Sequence, residues 1–344
     1  MKQLQSYSRI DILDYLRGFA LLGIVLMNIL PLLSMKNPAV GTLDFSYQRF
    51  LFLFIEGKFY TIFSFLFGVG FYLFMTRATT KGMNGYLLWS RRMFVLFCMG
   101  YIHGHFQGGE VLGEYAILGM FLLLFYKMKK SSILIIGIGT LALASFLVLG
   151  AKPLLTLPLM LMGLAAGQYC ILERISEYRK QIAIFTSIML FVSLIGVVYQ
   201  YTKVPSIPLP MIAVYGTGDS NIEQANQFIN LGIMLGPIIS SVYVGGIVLL
   251  LRFKCVQTLL LPLKLYGRMA LTNYLGQTFL ILISGHIFHL FENITYVQSF
   301  CLCIFIYIVQ IIFSVIWMRF FVMGPLEWLW RLITYWKVPQ IRKN

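Results

Sequence analysis

Charge is scarce in this chain of 344 residues, and acid is scarcer still: 11% of residues are charged, and only 12 are Asp or Glu. A water-soluble domain of this size carries about a quarter charged residues, so that class is excluded. Cysteine is thin as well. The five thiols, Cys98, Cys170, Cys255, Cys301 and Cys303, are odd in number and contain no Cys-x-x-Cys pair, so neither a disulfide framework nor a zinc site is signalled. They read as core or lipid-facing thiols. The first apolar run, from near Leu16, has no small-x-small cleavage site and outruns a signal-peptide core, so it is expected to remain as the first helix. Internal repeats and low-complexity tracts are missing too.

What the chain has in quantity is apolar sequence, at 59% hydrophobic residues and a mean hydropathy of +0.82. It also has 27 Lys and Arg. Nucleic-acid binding would need these gathered on a wettable face, whereas they sit singly or in short clusters between apolar runs. That is the pattern of loops facing an anionic leaflet, so membrane lipids are the expected partners and nucleic acid is not. The aromatic content of 16% suits lipid-facing helices and interfacial belts.

A bilayer core takes about 20 apolar residues per helix. Stretches of that kind recur at 16–35, 58–76, 88–105, 110–126, 132–150, 153–172, 181–200, 228–251, 268–290 and 298–321. The expected fold is all-α, a polytopic membrane protein of about ten transmembrane helices plus interfacial helices, one domain over 1–344. The run Phe50–Ile55 is too short to cross and is expected at the interface, as is a C-terminal helix near 325–336. With the N-terminus inside, only Lys36, Arg49, Lys58, Lys152 and Lys203 of the basic residues fall outside, so the positive-inside rule predicts both termini in the cytoplasm. His103, His105, His286 and His289 then lie near the outer ends of their helices, with Asp44, Glu56, Glu110, Glu114, Asp219, Glu223 and Glu292 on the same side. The polar connection at about 201–227, with Gly216-Thr-Gly-Asp219, is expected as an external loop able to cover a site.

Five motifs carry groups of chemical interest. Asp14 and Arg17 share a helix face and can pair with each other or with neighbouring helices; Gly18 follows, and Asn28 lies about three turns deeper. They read either as a cytoplasmic anchor or as charges facing an interior cavity, with Asn28 as inter-helix glue. In Glu56-Gly-Lys58-Phe-Tyr60, Lys58 either snorkels to the surface or points into a cleft; Gly68 and Gly70 suggest close helix packing. In Gly100-Tyr-Ile-His103-Gly-His105-Phe-Gln-Gly-Gly-Glu110-Val-Leu-Gly-Glu114, a histidine leaving one helix can meet an acid entering the next across a tight glycine-rich turn. An imidazole backed by a carboxylate is the usual general-base pair, and a structural interface histidine is the alternative. Metal is not expected, because two histidines one residue apart do not share a helix face. In Gly267-Arg268-Met-Ala-Leu-Thr272-Asn273-Tyr-Leu-Gly-Gln277, a polar stripe headed by arginine either receives a phosphorylated cofactor from the cytoplasm or knits helices together. In Gly324-Pro-Leu-Glu327-Trp-Leu-Trp-Arg331, Glu327 and Arg331 stand four apart on a helix that seals the bundle at headgroup level.

At these motifs the chain resembles the YeiB-like family of bacterial integral membrane proteins, long classed as a domain of unknown function. The resemblance runs through Asp14-x-x-Arg17-Gly-Phe-Ala, Lys58-Phe-x-Thr-Ile-Phe-Ser, Gly-x-Ile-His103-Gly, Gly-Arg268-Met-Ala-Leu-Thr-Asn-Tyr-Leu and Gly-Pro-Leu-Glu327-Trp-Leu-Trp-Arg331. Where the family usually has Gly-Asp-Ile-Leu after the histidine, this chain has Gly109-Glu110-Val-Leu and a shorter turn. The family is grouped with transmembrane acyltransferases similar to the lysosomal heparan-glucosaminide acetyltransferase. The resemblance therefore implies a multi-pass protein of the bacterial cytoplasmic membrane that moves an acyl group from cytoplasmic acyl-CoA to an extracytoplasmic glycan or lipid of the cell envelope. On that implication His103 is the base, Glu110 orients it, and Lys58 with Tyr60 stabilises the oxyanion. Arg17, Arg91, Arg92 and Arg268, with Asn273 and Gln277, receive the CoA, while Asp14, Asn28, Glu327 and Arg331 are structural polar groups. A homodimer is left open. The rival readings are a transporter or lipid-handling protein without acyl-transfer chemistry, and a sensor or scaffold.

Overall fold

Away from water, a backbone amide must find its partner inside its own segment, and a chain this apolar answers with helices. The computed structural model describes residues 10–147, 152–210 and 219–343. In chain order the helices are α1 (Asp11–Leu32), α2 (Leu43–Phe54), α3 (Lys58–Thr80), α4 (Gly85–Gly104), α5 (Leu112–Phe125), α6 (Lys130–Leu147), α7 (Pro153–Gln168), α8 (Arg179–Tyr201) and α9 (Ser220–Leu250). They continue as α10 (Lys254–Leu259), α11 (Leu261–Arg268), α12 (Ala270–Ile287), α13 (Tyr296–Phe320) and α14 (Pro325–Tyr335). Among the described residues there is no strand; one antiparallel bridge, Phe321 to Arg342, ties the C-terminal segment back to the end of α13.

Five helical stretches are long and apolar enough to cross a membrane: Asp11–Leu32, Leu43–Thr80, Arg179–Tyr201, Ser220–Leu250 and Tyr296–Phe320. Helices α5, α6 and α7 are apolar but shorter. Each of the ten stretches expected from the sequence falls on a helix, with shifted ends.

Three differences have physical causes. The connection expected at 201–227 is shorter, because Asp219 accepts from the Asn221 amide at 2.8 Å and caps α9 one residue ahead of Ser220; residues 211–218, including Gly216, lie outside the described residues. Phe50–Phe54 is the end of α2, which sits under the segment after α8: Gln48 donates to the Leu209 carbonyl at 3.1 Å and accepts from its amide at 2.9 Å. The helix expected from 268 is broken at Met269, so that α11 and α12 meet there at an angle.

Helix α3 is central. It crosses α7 at Gly68 and Gly163, where an added Cβ at either glycine would collide with the other helix's backbone, at the carbonyls of Met160 and Phe65 respectively. Helix α1 crosses α11 in the same way at Gly18 and Gly267. Small residues at such crossings let backbones touch where lipid provides no hydrophobic drive. Gly70, by contrast, packs against no helix; the Arg17 guanidinium lies 3.4 Å from where its Cβ would be, so this glycine leaves room for that side chain.

Candidate active site: a chamber between two unlike ends

Between α1, α3, α4, α5, α12 and α14 lies a chamber of about 1360 Å³. Its wall follows α1 from Leu13 to Pro31 and α3 from Gly57 to Ala78. At 1.5 Å per residue the α3 wall alone is about 30 Å long, the thickness of a bilayer core. Its middle is apolar, with Ile24, Phe59, Phe63, Leu66 and Phe67.

The end beside the start of α1 is cationic. Arg17, Arg77, Lys81, Arg92, Arg268, Arg331 and Lys337 line it, against the carboxylates of Asp14 and Glu327. Arg17 stands 3.6 Å from Asp14. Arg92 lies 3.5 Å over the Trp330 ring, and the Trp330 indole donates to the Arg92 carbonyl at 2.9 Å, which pins α14 to α4. Arg268 donates to the Val322 carbonyl at 2.9 Å. Glu327 accepts from the amides of Leu271 at 2.7 Å and Thr272 at 3.1 Å, and from the Thr272 hydroxyl at 2.6 Å. It thus caps α12 from α14 rather than bonding within its own helix. Burial pushes its carboxyl up, and these hydrogen bonds pull the other way. Arg91 stacks 4.0 Å over Trp336 and is not in the chamber wall.

The opposite end is acidic. His103 is in the last turn of α4, and the glycine turn returns the chain so that the Glu110 carboxylate meets its Nδ1. The same carboxylate accepts from the Leu112 amide at the start of α5, which fixes it. With Nδ1 donating to a carboxylate, Nε2 is left as the lone-pair nitrogen. Among the described residues Nε2 is buried and has no partner. Glu110 and Tyr274 are in the chamber wall; His103 stands behind them, its ring 5.3 Å from that of Tyr274. One turn on, Glu114 accepts from the Tyr60 hydroxyl at 2.8 Å and the Thr156 hydroxyl at 2.5 Å. Tyr115, alongside, shares a 2.7 Å hydrogen bond with Ser64. At the rim Lys152 pairs with Glu56.

The geometry thus brings together His103, Glu110 and Tyr60 at one end and Arg17, Arg92, Arg268, Asp14, Glu327 and Arg331 at the other, with Asn28 in the wall. It does not bring Lys58, Asn273 or Gln277 to the chamber. Gly57, at φ +77°, starts α3 in a left-handed turn that only glycine adopts freely. Lys58, fully buried after it, donates to the Phe52 carbonyl at 3.0 Å, capping α2. Asn273 donates to the Tyr266 carbonyl at 2.8 Å and to Ser314 at 3.0 Å, so its stripe faces α11 and α13. Gln277 is buried outside the wall. Sequence reasoning passed over Glu114 as a site residue, although its spacing of four from Glu110 was a usable signal; Thr156 gave none. Among the described residues no three His, Cys, Asp or Glu side chains gather into a metal-binding group.

Helices of membrane-crossing length around a charged internal chamber define a class, the helical membrane protein with a buried polar site. Within it, the chain belongs to the family described as "Protein of unknown function (DUF418)", which matches residues 166–337. It is 51% identical over 327 residues to an "Uncharacterized 39.9 kDa protein in amylase 3'region" of Bacillus acidopullulyticus, covering 95% of this chain and 94% of that one. It is 28% identical to the uncharacterized protein YxaH of Bacillus subtilis (strain 168), over 98% of this chain and 96% of the relative. It is 27% identical to the uncharacterized protein YeiB of Escherichia coli (strain K12), over 94% and 95%.

Proposed function

We propose that this protein is a membrane-embedded acyltransferase that takes an acyl group from acyl-CoA at its cytoplasmic, cationic end and delivers it to a hydroxyl or amine of a cell-envelope glycan or lipid at its outer, acidic end. The observation that carries the reading is the single chamber whose two ends differ in charge, with a histidine–carboxylate pair at the acidic one. In this reading about ten helices cross the bacterial cytoplasmic membrane, the shorter ones crossing inside the bundle, and both termini are cytoplasmic.

The cationic end suits the donor by its chemistry. Several guanidiniums stand against two carboxylates, and guanidinium matches phosphate oxygens bidentately. A polyanion held there extends its uncharged thioester arm along the apolar middle. At the far end the His103–Glu110 pair takes the acceptor's O–H or N–H proton as its oxygen or nitrogen attacks the thioester carbon; the C–S bond breaks, and the proton passes to the departing thiolate. Tyr60, held by Glu114 and Thr156, is the candidate donor toward the developing oxyanion. Lys58 is a helix cap in this scheme, and Arg91 an anchor for the C-terminal segment.

A second reading, passage of a solute or lipid without chemical change, is favoured by the same chamber reaching both charged ends. Incubating the purified protein with a panel of acyl-CoAs and measuring free CoA thiol separates the two. The acyltransferase reading expects release that falls by about 10²–10⁴-fold in His103→Ala. Protein that neither binds nor cleaves any acyl-CoA in a bilayer sinks it and leaves passage as the reading to pursue.

A further inference from the structure

Apart from the chamber, a second cavity of about 480 Å³ opens where the last turns of α3 meet the α5–α6 turn and the end of α7. Thr76, Thr79 and Thr80 form one wall, Lys127 and Lys130 another, and Gln168 the floor. Three features say what would fill it. Neither lysine has a carboxylate within ion-pair distance among the described residues; Lys130 lies 4.4 Å over the Tyr169 ring and Lys127 5.8 Å over that of Tyr86. The two cations are therefore unneutralised and call for an anion. Gln168 is fixed in orientation, because its Nε2 donates to the carbonyls of Tyr126 at 3.2 Å and Met128 at 3.3 Å. Its Oε1 is consequently a known acceptor, buried and without a partner among the described residues, and it calls for a donor. Finally, the cavity is at the end of α3 that carries Arg77 and Lys81, the basic face that the charge distribution assigns to the cytoplasm.

An anion and a hydroxyl donor a few ångströms apart, at the headgroup level of the inner leaflet, are the two halves of a phosphoglycerol headgroup. We propose that this groove binds the headgroup of a phosphatidylglycerol-type lipid, its phosphate between Lys127 and Lys130 with the threonine hydroxyls, and a glycerol hydroxyl donating to Gln168 Oε1. Basic pockets between membrane helices on the cytoplasmic side are the usual seats for anionic lipids. The inference is independent of acyl transfer and uses none of the chamber residues.

Native mass spectrometry of the full chain, in detergent supplemented in turn with phosphatidylglycerol, phosphatidylserine and phosphatidylcholine, tests it. Phosphatidylglycerol is expected to be retained over phosphatidylserine, which has the same net charge, and over phosphatidylcholine. Lys127→Gln with Lys130→Gln should weaken phosphatidylglycerol retention by about tenfold or more, since each charge-assisted contact is worth about 1.5–3 kcal/mol. Gln168→Leu should remove the preference for phosphatidylglycerol over phosphatidylserine while keeping the preference for anionic lipid. His103→Ala should retain the lipid unchanged, so failure here and failure of the acyltransferase reading are told apart. Equal retention of all three lipids overturns the proposal, as does retention indifferent to the lysine pair. Soluble glycerol phosphate displacing the lipid at equal concentration would assign the site to a soluble phosphate and overturn the lipid assignment.

Discussion

The two ends of the chamber hold their charges differently. At the cationic end, Arg17, Arg92 and Arg268 are each held by a neighbour, whether Asp14, Trp330 or a carbonyl, yet positive charge outnumbers negative and the excess faces the cavity. At the acidic end nearly every group is committed to a specific partner: Glu110 to His103 and the Leu112 amide, Glu114 to Tyr60 and Thr156, Glu56 to Lys152. An uncompensated surplus attracts a multiply charged ligand by field, with little demand on geometry. A set of mutually fixed groups has defined protonation and direction, as proton transfer requires. The first end is therefore built to bind and the second to react.

This contrast is broken most severely by removing the group that fixes the imidazole. Glu110→Ala is expected to lower the rate of CoA release by about 10²-fold or more while acyl-CoA binding, measured by calorimetry, stays at the wild-type value; equal loss of both would mean the two ends are not separable. The converse change, Arg92→Gln with Arg268→Gln, should weaken acyl-CoA binding by about 10–100-fold and flatten its dependence on salt, with the rate at saturation largely kept. Lys58→Met sharpens the boundary of the acidic end. Because Lys58 caps α2 outside the chamber, its loss should lower the stability of the folded protein by about 1–3 kcal/mol in detergent unfolding, with turnover per folded molecule unchanged. A selective loss of turnover would return Lys58 to the reacting groups. The smallest effect is expected of Lys152→Ala at the partly exposed rim, within about 1 kcal/mol in stability.

Much of this was legible before any coordinates. The apolar runs located every long helix, because a segment that must bond its own amides leaves little freedom once its length is set. His103 and Glu110 were readable as a pair because a short glycine-rich turn restricts where two helix ends can go. What stayed illegible depended on which neighbour arrives. Lys58 reads equally as snorkelling or cleft-facing until α2 is seen to present its last carbonyls. The Asn273 stripe reads as cofactor-facing or as glue until α13 is seen beside it. Arg92 and Arg91 are adjacent in sequence, yet one lines the chamber and the other stacks on Trp336 outside it, a difference set by α14 and the C-terminal segment. The polar start of α9 read as loop because its hydropathy is low, whereas Asp219 begins the helix there.

The central claim is that donor and acceptor are served from opposite faces through one chamber. Sealed vesicles of both orientations, given radiolabelled acyl-CoA on the outside only, test it directly. Label should enter envelope glycan or lipid in inside-out vesicles and not in right-side-out ones, and Glu110→Ala should abolish the signal. Equal labelling in both orientations, or labelling that survives loss of Glu110, would contradict a chamber that binds at one end and reacts at the other.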